Sequence, residues 1–202
     1  MATGLRPETF TNLQLNAGVF LANFDHSSAT DAASLEDLIL AELTKGNNPN
    51  ILGATRGGGS FQCTPSVRGI DADGKRYEFV GSTVNDGWTI KLSTTLLEVT
   101  PNNWKHALMS ADVATDGNKT TITVRTKIDD EDYIQKLCWV GDTSKGYVMI
   151  ELDNALNIAG ASFTFTDKGE GTMPVEFQAH QATLTEQDNA PFRIIYFDEA
   201  AA

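Results

Sequence analysis

The sequence has few of the residues that carry metal or thiol chemistry. It contains three histidines and two cysteines, and neither Cys63 nor Cys138 lies in a Cys-x-x-Cys pair or beside a second metal ligand. No histidine has a paired-ligand spacing such as His-Glu-x-x-His. Isolated cysteines are typical of reduced, structural thiols in a cytosolic protein. We therefore expect neither a metal nor a cofactor.

Positive charge is also scarce. Fifteen Lys and Arg stand against 27 Asp and Glu, which gives a net charge of −12. A phosphate-binding surface needs a basic stripe, and none is visible. The charge has two interpretations: solubility through self-repulsion, or a surface that must not adhere to nucleic acid.

Long apolar runs are missing. None approaches the roughly 20 residues of a membrane-spanning helix, and the first residues lack the apolar stretch of a signal peptide. We expect a cytoplasmic product without a membrane anchor.

Motifs for catalysis are incomplete. Gly53–Ser60 resembles a phosphate-binding loop, but Gly59 occupies the position of the lysine that such a loop needs, so a flexible or close-packed loop is expected. The run 129–132 lacks the spacing of a calcium-binding EF-hand and predicts a solvated turn, with a weak calcium site as the alternative. No Gly-x-Ser-x-Gly motif marks a nucleophile. We predict that the chain is not an enzyme.

The pattern that is present has a period of two residues. Apolar and polar residues alternate along several short segments, and Asp-Gly pairs at 73–74 and 86–87 signal hairpin turns. Together they predict about eight to ten antiparallel strands in one domain, 1–202, a β-sandwich or barrel. The predicted strands include a segment near 19–21 and the segments 77–79, 88–92, 122–128, 133–140, 147–152, 163–166, 175–179 and 192–196.

Two helices are predicted beside these strands. Pro101–Ala111 begins with Thr100 before a proline at the first helical position and carries apolar residues at helical spacing. A short second helix is predicted over Ser34–Leu43, with Ser34 as its cap and Gly46 after its end.

Several segments, taken in order, resemble the major tail tube proteins of long-tailed siphophages. The segments span about residues 16 to 197 and are Asn16–Val19, Leu52–Phe61, Pro65–Gly74, Leu92–Val99, Trp139–Asp142, Asn154–Asn157, Phe163–Gly171 and Pro191–Phe192. The resemblance lies in their order and spacing. It implies a β-sandwich with one flanking helix, whose copies join edge to edge into six-membered rings that stack into a hollow tube.

The resemblance also implies partners and a place of action. Such a tube surrounds a tape measure protein during assembly, meets a tail terminator and the baseplate or tip proteins, and later conducts double-stranded DNA without binding it specifically. The protein is then expected in the tail of the virion, and in the host cytoplasm during assembly. By position, the N-terminal arm 1–15 and a long loop or hairpin at 44–75 would reach the neighbouring ring.

Two sets of residues become candidates on this basis. The candidate ring-to-ring interface contains Arg56, Gly57, Gly58, Gly59 and Arg68. The candidate acids of the lumen are Asp129, Asp130, Glu131, Asp132 and Glu176, whose charges would repel phosphate.

Three alternatives remain open. The chain could build the tube of a phage-derived bacteriocin, a gene-transfer particle or a contractile tail. It could be a β-sandwich that binds sugars or proteins through its end loops, although most of its aromatic residues fall inside the strand patterns. It could also be an enzyme without a readable motif.

Overall fold

The computed structural model describes residue 9 and residues 13–46, 48–186 and 188–199. Within these ranges the chain is mainly β, as predicted, with nine strands and two α-helices. The strands are β1 (Val19–Ala22), β2 (Thr55–Gly69), β3 (Thr83–Leu96), β4 (Ala111–Asp116), β5 (Lys119–Val124), β6 (Ile134–Thr143), β7 (Gly146–Asn157), β8 (Met173–Gln178) and β9 (Phe192–Asp198), and the helices are α1 (Ala32–Leu43) and α2 (Pro101–Ala107).

Seven of the strands form two antiparallel layers that share β7. The strand order is β1-β6-β7-β8-β3-β2, and β9 also pairs with β7. Residues 146–152 of β7 pair with β9, whereas only Leu156 and Asn157 pair with β8. The order of paired strands therefore passes from one layer to the other at the end of β7. One layer, the first sheet, is β1-β6-β7-β9; the other, the second sheet, is β8-β3-β2. Strands β4 and β5 form a separate hairpin.

The main core lies between the two sheets. Along β3, the buried Ile90, Leu92 and Leu96 alternate with half-buried polar residues, which is the pattern of a strand with one face in the core. These side chains pack against Leu137 and Leu152 of the first sheet in one continuous apolar cluster.

The other face of the first sheet is covered by α1. Leu35 and Ile39 of this helix pack with Cys138, Met149 and Phe197 in a second cluster. Strands β6 and β7 are thus buried on both faces, as their apolar sequences predicted.

Strand β2 crosses the first sheet instead of following its strands. A Cβ atom on Gly59 would lie 2.8 Å from the ring of Phe20 in β1, while the rings of Phe61 and Phe192, in β9, lie 5.4 Å apart. Because β1 and β9 are the opposite edges of the first sheet, the two layers pack closer to orthogonal than to aligned.

The β2–β3 hairpin is longer than the core that it covers. Ile90, opposite Cys63, is the last fully buried residue of β3 toward the turn, and Pro65 to Gly69 of β2 are all exposed. The outer half of the hairpin, with the connection 70–82, therefore projects from the body of the domain. The predicted long segment 44–75 contains one strand of this hairpin, and the other strand follows it.

Both helices have boundaries that differ from the predicted ones. Helix α1 begins at Ala32, because Asp31 accepts a hydrogen bond from the backbone N–H of Ser34 at 2.8 Å; Ser34 is the third helical residue and not the cap. Helix α2 begins after Thr100 as predicted but ends at Ala107. Met109 has φ of 68°, a left-handed conformation that ends the helix, and Ala111 already belongs to β4.

Two predicted strands are not formed. Tyr77–Phe79 lies in the irregular connection between β2 and β3, and Phe163–Thr166 contributes only a single bridge from Thr164 to Thr172. The predicted turn at Asp86-Gly87 lies inside β3. The N-terminal arm lies largely outside the described residues.

Candidate assembly surface

The outer edge of β2 is open. In the described part of the chain no strand pairs with the side of β2 that faces away from β3. An unpaired edge presents a row of backbone N–H and C=O groups that another strand can complete.

The regular part of this edge is short. At one end Gly57 and Gly58 both have positive φ, 74° and 72°, and the register with β3 shifts between Thr55 and Gly59. At the other end stands Pro65, opposite Trp88. Proline cannot donate to a ladder, so its nitrogen is expected on the open side. We call the six residues between these limits, Gly59–Thr64, the open edge.

Backbone alternation identifies the free groups of the open edge. In an antiparallel pair, both polar groups of one residue point to the same side and those of the next residue point to the other. If Pro65 faces outward, the N–H and C=O groups of Gly59, Phe61 and Cys63 do so too, whereas those of the alternate residues pair with β3. The open edge thus offers three donors and three acceptors to a new strand.

Beside the open edge the first sheet carries apolar side chains that the second sheet does not cover. Strand registers align Trp139 with Ile150 and Ile194, and Val148 with Tyr196. Ile194 is 48% exposed and Tyr196 68%, while the other three are half-buried. We call these five residues the floor, because they lie on the face of the first sheet that the second sheet packs on.

The Trp139 ring is fixed within the floor. Its Nε1 donates to the carbonyl of Ala17 at 2.9 Å. A Cβ atom on Gly141 would lie 2.4 Å from the ring, so the ring lies flat over that glycine. A side chain larger than hydrogen at Gly141 would lift the ring and change the shape of the floor.

The projecting half of the β2–β3 hairpin carries further exposed apolar residues. Trp88 follows the inward-facing series of Ile90 and Leu92 but lies beyond the core and is 52% exposed. The hairpin and its connection also expose Val67, Ile70, Tyr77, Phe79 and Val80. Large apolar side chains exposed together on one projecting segment make that segment a candidate interaction surface.

The outward face of the second sheet is polar. The hydroxyls of Ser60 and Ser93 lie 2.8 Å apart, and Lys91 Nζ donates to Glu176 at 2.8 Å. Glu176, a predicted acid of the lumen, therefore lies on this face with its charge paired.

The predicted ring-to-ring residues do not form one site. Arg56 and Arg68 are 12 positions apart on one extended strand, about 40 Å. Arg56 pairs with Glu170, and Arg68 Nε lies 2.8 Å from Asp86 at the projecting end. Gly57, Gly58 and Gly59 line a shallow depression together with Arg56.

The acidic run has two halves with different environments. Asp130 and Glu131 are exposed, but Asp132 is buried. Arg125 binds both Asp132, at 2.7 Å from Nη2, and Asp129, and a hydrogen bond from Lys127 holds the pKa of Asp129 below its usual range. Asp132 was predicted as an acid of the lumen; its buried carboxylate, bound to Arg125, cannot line a channel.

A buried carboxylate that the motif search missed lies between α1 and the first sheet. Glu151 of β7 is fully buried. Its oxygens contact His26 Nε2 at 2.7 Å and the guanidinium of Arg193. The signal was a lone acid within the apolar run 147–152. Because the partners come from the β1–α1 loop and from β9, the contacts tie three parts of the fold together.

The contacts around Glu151 do not activate the neighbouring thiol of Cys138. Cys138 Sγ lies 3.9 Å from Glu151, and burial, with the nearby carboxylate, raises the pKa of the thiol far above its usual range. The thiolate is the reactive form, so Cys138 is inert in the folded state. Cys63 is half-buried, and both cysteines are free.

Among the described residues no three His, Cys, Asp or Glu side chains are grouped so that they could hold a metal ion. No helix within those residues has the length and apolar character needed to span a membrane. Comparison with known proteins finds no family model and no curated protein that matches the chain.

Proposed function

We propose that this protein is a structural subunit that assembles with copies of itself into rings and stacks them into a hollow tube, as the major tail tube protein of a siphophage does. The observation that carries the proposal is the open edge beside an uncovered apolar floor. An open edge in a monomer is an aggregation hazard, whereas in a ring it is the joining surface.

The shape of the domain supports stacking as well. The projecting half of the β2–β3 hairpin exposes Trp88, Tyr77 and Phe79 away from the body. Tryptophan and tyrosine are over-represented among residues that dominate binding energy at interfaces. A projecting apolar hairpin fits a contact with the next ring, with the open edge left for contacts inside a ring.

The polar face of the second sheet suits the wall of a channel for DNA. Its hydroxyls and the Lys91–Glu176 pair leave little free positive charge for phosphate to bind. If this face lines the lumen, phosphate groups meet a hydrated surface close to neutral, within a subunit whose net charge is −12. DNA passes such a wall without being held.

Negative-stain electron microscopy and sedimentation velocity test the proposal. The purified protein is examined across about a hundredfold range of concentration, with the tape measure protein of the same genome added in a second series. Rings or tubes with a stain-filled channel are expected at high concentration or with that protein. A monomer under every condition would reject the proposal.

A second candidate function, a binding module, is favoured by one cleft. Trp88 lies beside Asn85, Asp86, His180 and Asn189, and an exposed indole flanked by amide and carboxylate groups can stack on a sugar ring. Glycan-array binding by the monomer that is lost in Trp88→Ala would support this function.

A further inference from the structure

We infer that the strand which completes the open edge is supplied by the β4–β5 hairpin of a second copy. This inference rests on the proposed function, because it names the partner segment of the same surface. The donor and the acceptor are different parts of the chain, so the contact is head to tail and can close into a ring.

The β4–β5 hairpin has one apolar face that its own chain leaves partly uncovered. Pairing places Ala111 opposite Val124 and Val113 opposite Ile122. Ala111 is buried near α2, but Val113 is 41% exposed and Val124 58%. Two strands alone are at best marginally stable in water, and a third strand or an apolar surface stabilises them.

The lengths and faces of the two segments match. Strands β4 and β5 have six residues each, and the open edge Gly59–Thr64 also has six. When the valines lie on the floor, Thr121 and Thr123 point outward, on the same side as Ser60 and Gln62. The added strands then continue the second sheet with its apolar side inward and its polar side outward.

The acceptor surface, made of the open edge and the floor, and the apolar face of the β4–β5 hairpin both lack charge, which favours the hairpin as the partner segment. Copies of a chain with net charge −12 repel each other, and the cores of interfaces are depleted of charged residues. The open edge, the floor and residues 120–124 contain no charged residue. The charged residues of the hairpin, Asp112, Asp116 and Lys119, alternate with the valines and fall on its outward face. Strand β9, which pairs only with β7 in the described part of the chain, is a weaker donor because its Ile194 and Tyr196 already belong to the floor.

The hairpin is held in position before a partner arrives. The hydroxyl of Ser110 donates to the carbonyl of Arg125 at 2.8 Å. The Arg125 side chain contacts Asp112, Asp129 and Asp132. The base of the hairpin is thus fixed to the domain, which lowers the entropy lost when the hairpin binds.

Cross-linking between different copies tests the pairing. One protein carries Val113→Cys and a second carries Ile194→Cys, both with Cys63→Ser; the buried Cys138 is kept. The two are mixed, assembled and treated with a short thiol-to-thiol cross-linker. We expect a mixed dimer at least about tenfold more abundant than with the matched control Ala114→Cys, which is exposed on the opposite face of β4.

A pair of charge substitutions tests the same contact without cysteines. Val124→Lys places an ammonium group on the apolar face of the β4–β5 hairpin, whereas Thr123→Lys adds the same charge one residue away on the outward face. We expect Val124→Lys to raise the critical concentration for assembly about tenfold or more and Thr123→Lys to change it less than about threefold. Circular dichroism and thermal unfolding show whether both variants fold.

The outcomes separate the inference from the proposed function. If rings or tubes form but cross-linking equals that of the control and the two lysine variants assemble alike, the inference is overturned and tube assembly stands. If the natural chain never assembles, both are rejected. If Val124→Lys fails to fold, the cross-linking result alone decides.

Discussion

Arg125 and Asp132 form an ion pair in which the carboxylate is fully buried, with Nη2 and Oδ1 2.7 Å apart. Asp132 also accepts a hydrogen bond from the backbone N–H of Asp129 at 2.8 Å, whereas Arg125 keeps its contacts with Asp112 and Asp129 when Asp132 is removed. We expect Asp132→Ala to lower the free energy of unfolding by about 2 kcal/mol through these lost buried hydrogen bonds. Asp130→Ala, which removes an exposed neighbour, should change it by about 0.5 kcal/mol or less. Urea unfolding of both variants measures the difference; equal effects would contradict the assigned role of Asp132.

Glu151 joins the β1–α1 loop and β9 to β7 through His26 and Arg193. Glu151→Gln keeps the shape of the side chain and removes its charge, which weakens its bonds to His26 and Arg193, while Arg193 keeps its contact with Asp153 at 3.1 Å. We expect a loss of about 1 to 2 kcal/mol in the free energy of unfolding. The exposed Glu199→Gln is the control and should have little effect. Hydrogen exchange should be faster in β9 of Glu151→Gln than in the natural chain.

Stability should depend on His106 in mildly acidic solution. Burial, together with the charge of Lys105, lowers the pKa of His106 from 6.5 to about 4. Between these values the unfolded chain binds a proton that the folded chain does not, so this contribution to stability is complete above pH 6.5 and is lost as the pH falls toward 4. From about pH 7.5 to about pH 4.5, the natural chain should lose about 2 kcal/mol more than His106→Gln does. Equal losses would show that His106 is not protected from protonation.

Gly146 has φ of 135°, and a Cβ atom there would lie 2.1 Å from the carbonyl oxygen of Phe197. The neighbour is backbone, so it cannot move aside without opening the β7–β9 pairing. Gly146→Ala should lower the free energy of unfolding by about 3 kcal/mol through strain and overpacking. Gly46 has no neighbouring atom within 4 Å of such a Cβ, and Gly46→Ala should be nearly neutral. Thermal unfolding of the pair measures the contrast.

Trp88 should matter for assembly more than for folding. It is 52% exposed in the single chain, so Trp88→Ala should lower the free energy of unfolding by about 1 kcal/mol or less. If Trp88 is buried between rings, the same change should weaken assembly about tenfold or more. Thr89→Ala, on the opposite face of β3, is the control. Sedimentation velocity of both variants gives the result, and unchanged assembly of Trp88→Ala would remove this residue from the interface.

The sequence predicted the parts of the fold that depend on hydrophobic periodicity. Strands β3, β6, β7, β8 and β9 lie where alternating or continuous apolar segments placed them, because burial of one or both faces fixes that pattern. Helix α2 begins at the predicted proline for a similarly local reason: Thr100 accepts the N–H of Asn103 at 3.1 Å.

Features set by tertiary contacts were not predictable. Asp86-Gly87 has the sequence of a hairpin turn, but Ser66 pairs with Gly87 and Val67 with Asn85, so Asp86 is the extra residue of a β-bulge within β3. The salt bridge from Arg68 holds Asp86 there. Likewise, α2 ends where Met109 adopts a left-handed backbone conformation, which cannot be predicted from a methionine in the sequence.

The candidate sites likewise depend on tertiary contacts that the sequence does not reveal. Sequence order suggested that the glycine-rich segment and Arg68 act together, but a strand of 15 residues keeps its two ends apart. The open edge and the floor come from strands distant in sequence, and only the crossing of the two sheets brings them side by side. Arg125 binds Asp129 and Asp132 and so removes both from the candidate acids of the lumen. A run of adjacent acids does not show in the sequence which of them points inward.

The shortness of the open edge has a consequence for life in a crowded cell. Fifteen unbroken residues would accept almost any extended peptide and would template fibrils. The Gly57-Gly58 kink and Pro65 limit the open edge to six residues, so a new strand can pair with it in only a few registers. A short open edge can thus stay exposed on the folded chain while excluding most extended peptides, including a second copy of this chain in other registers.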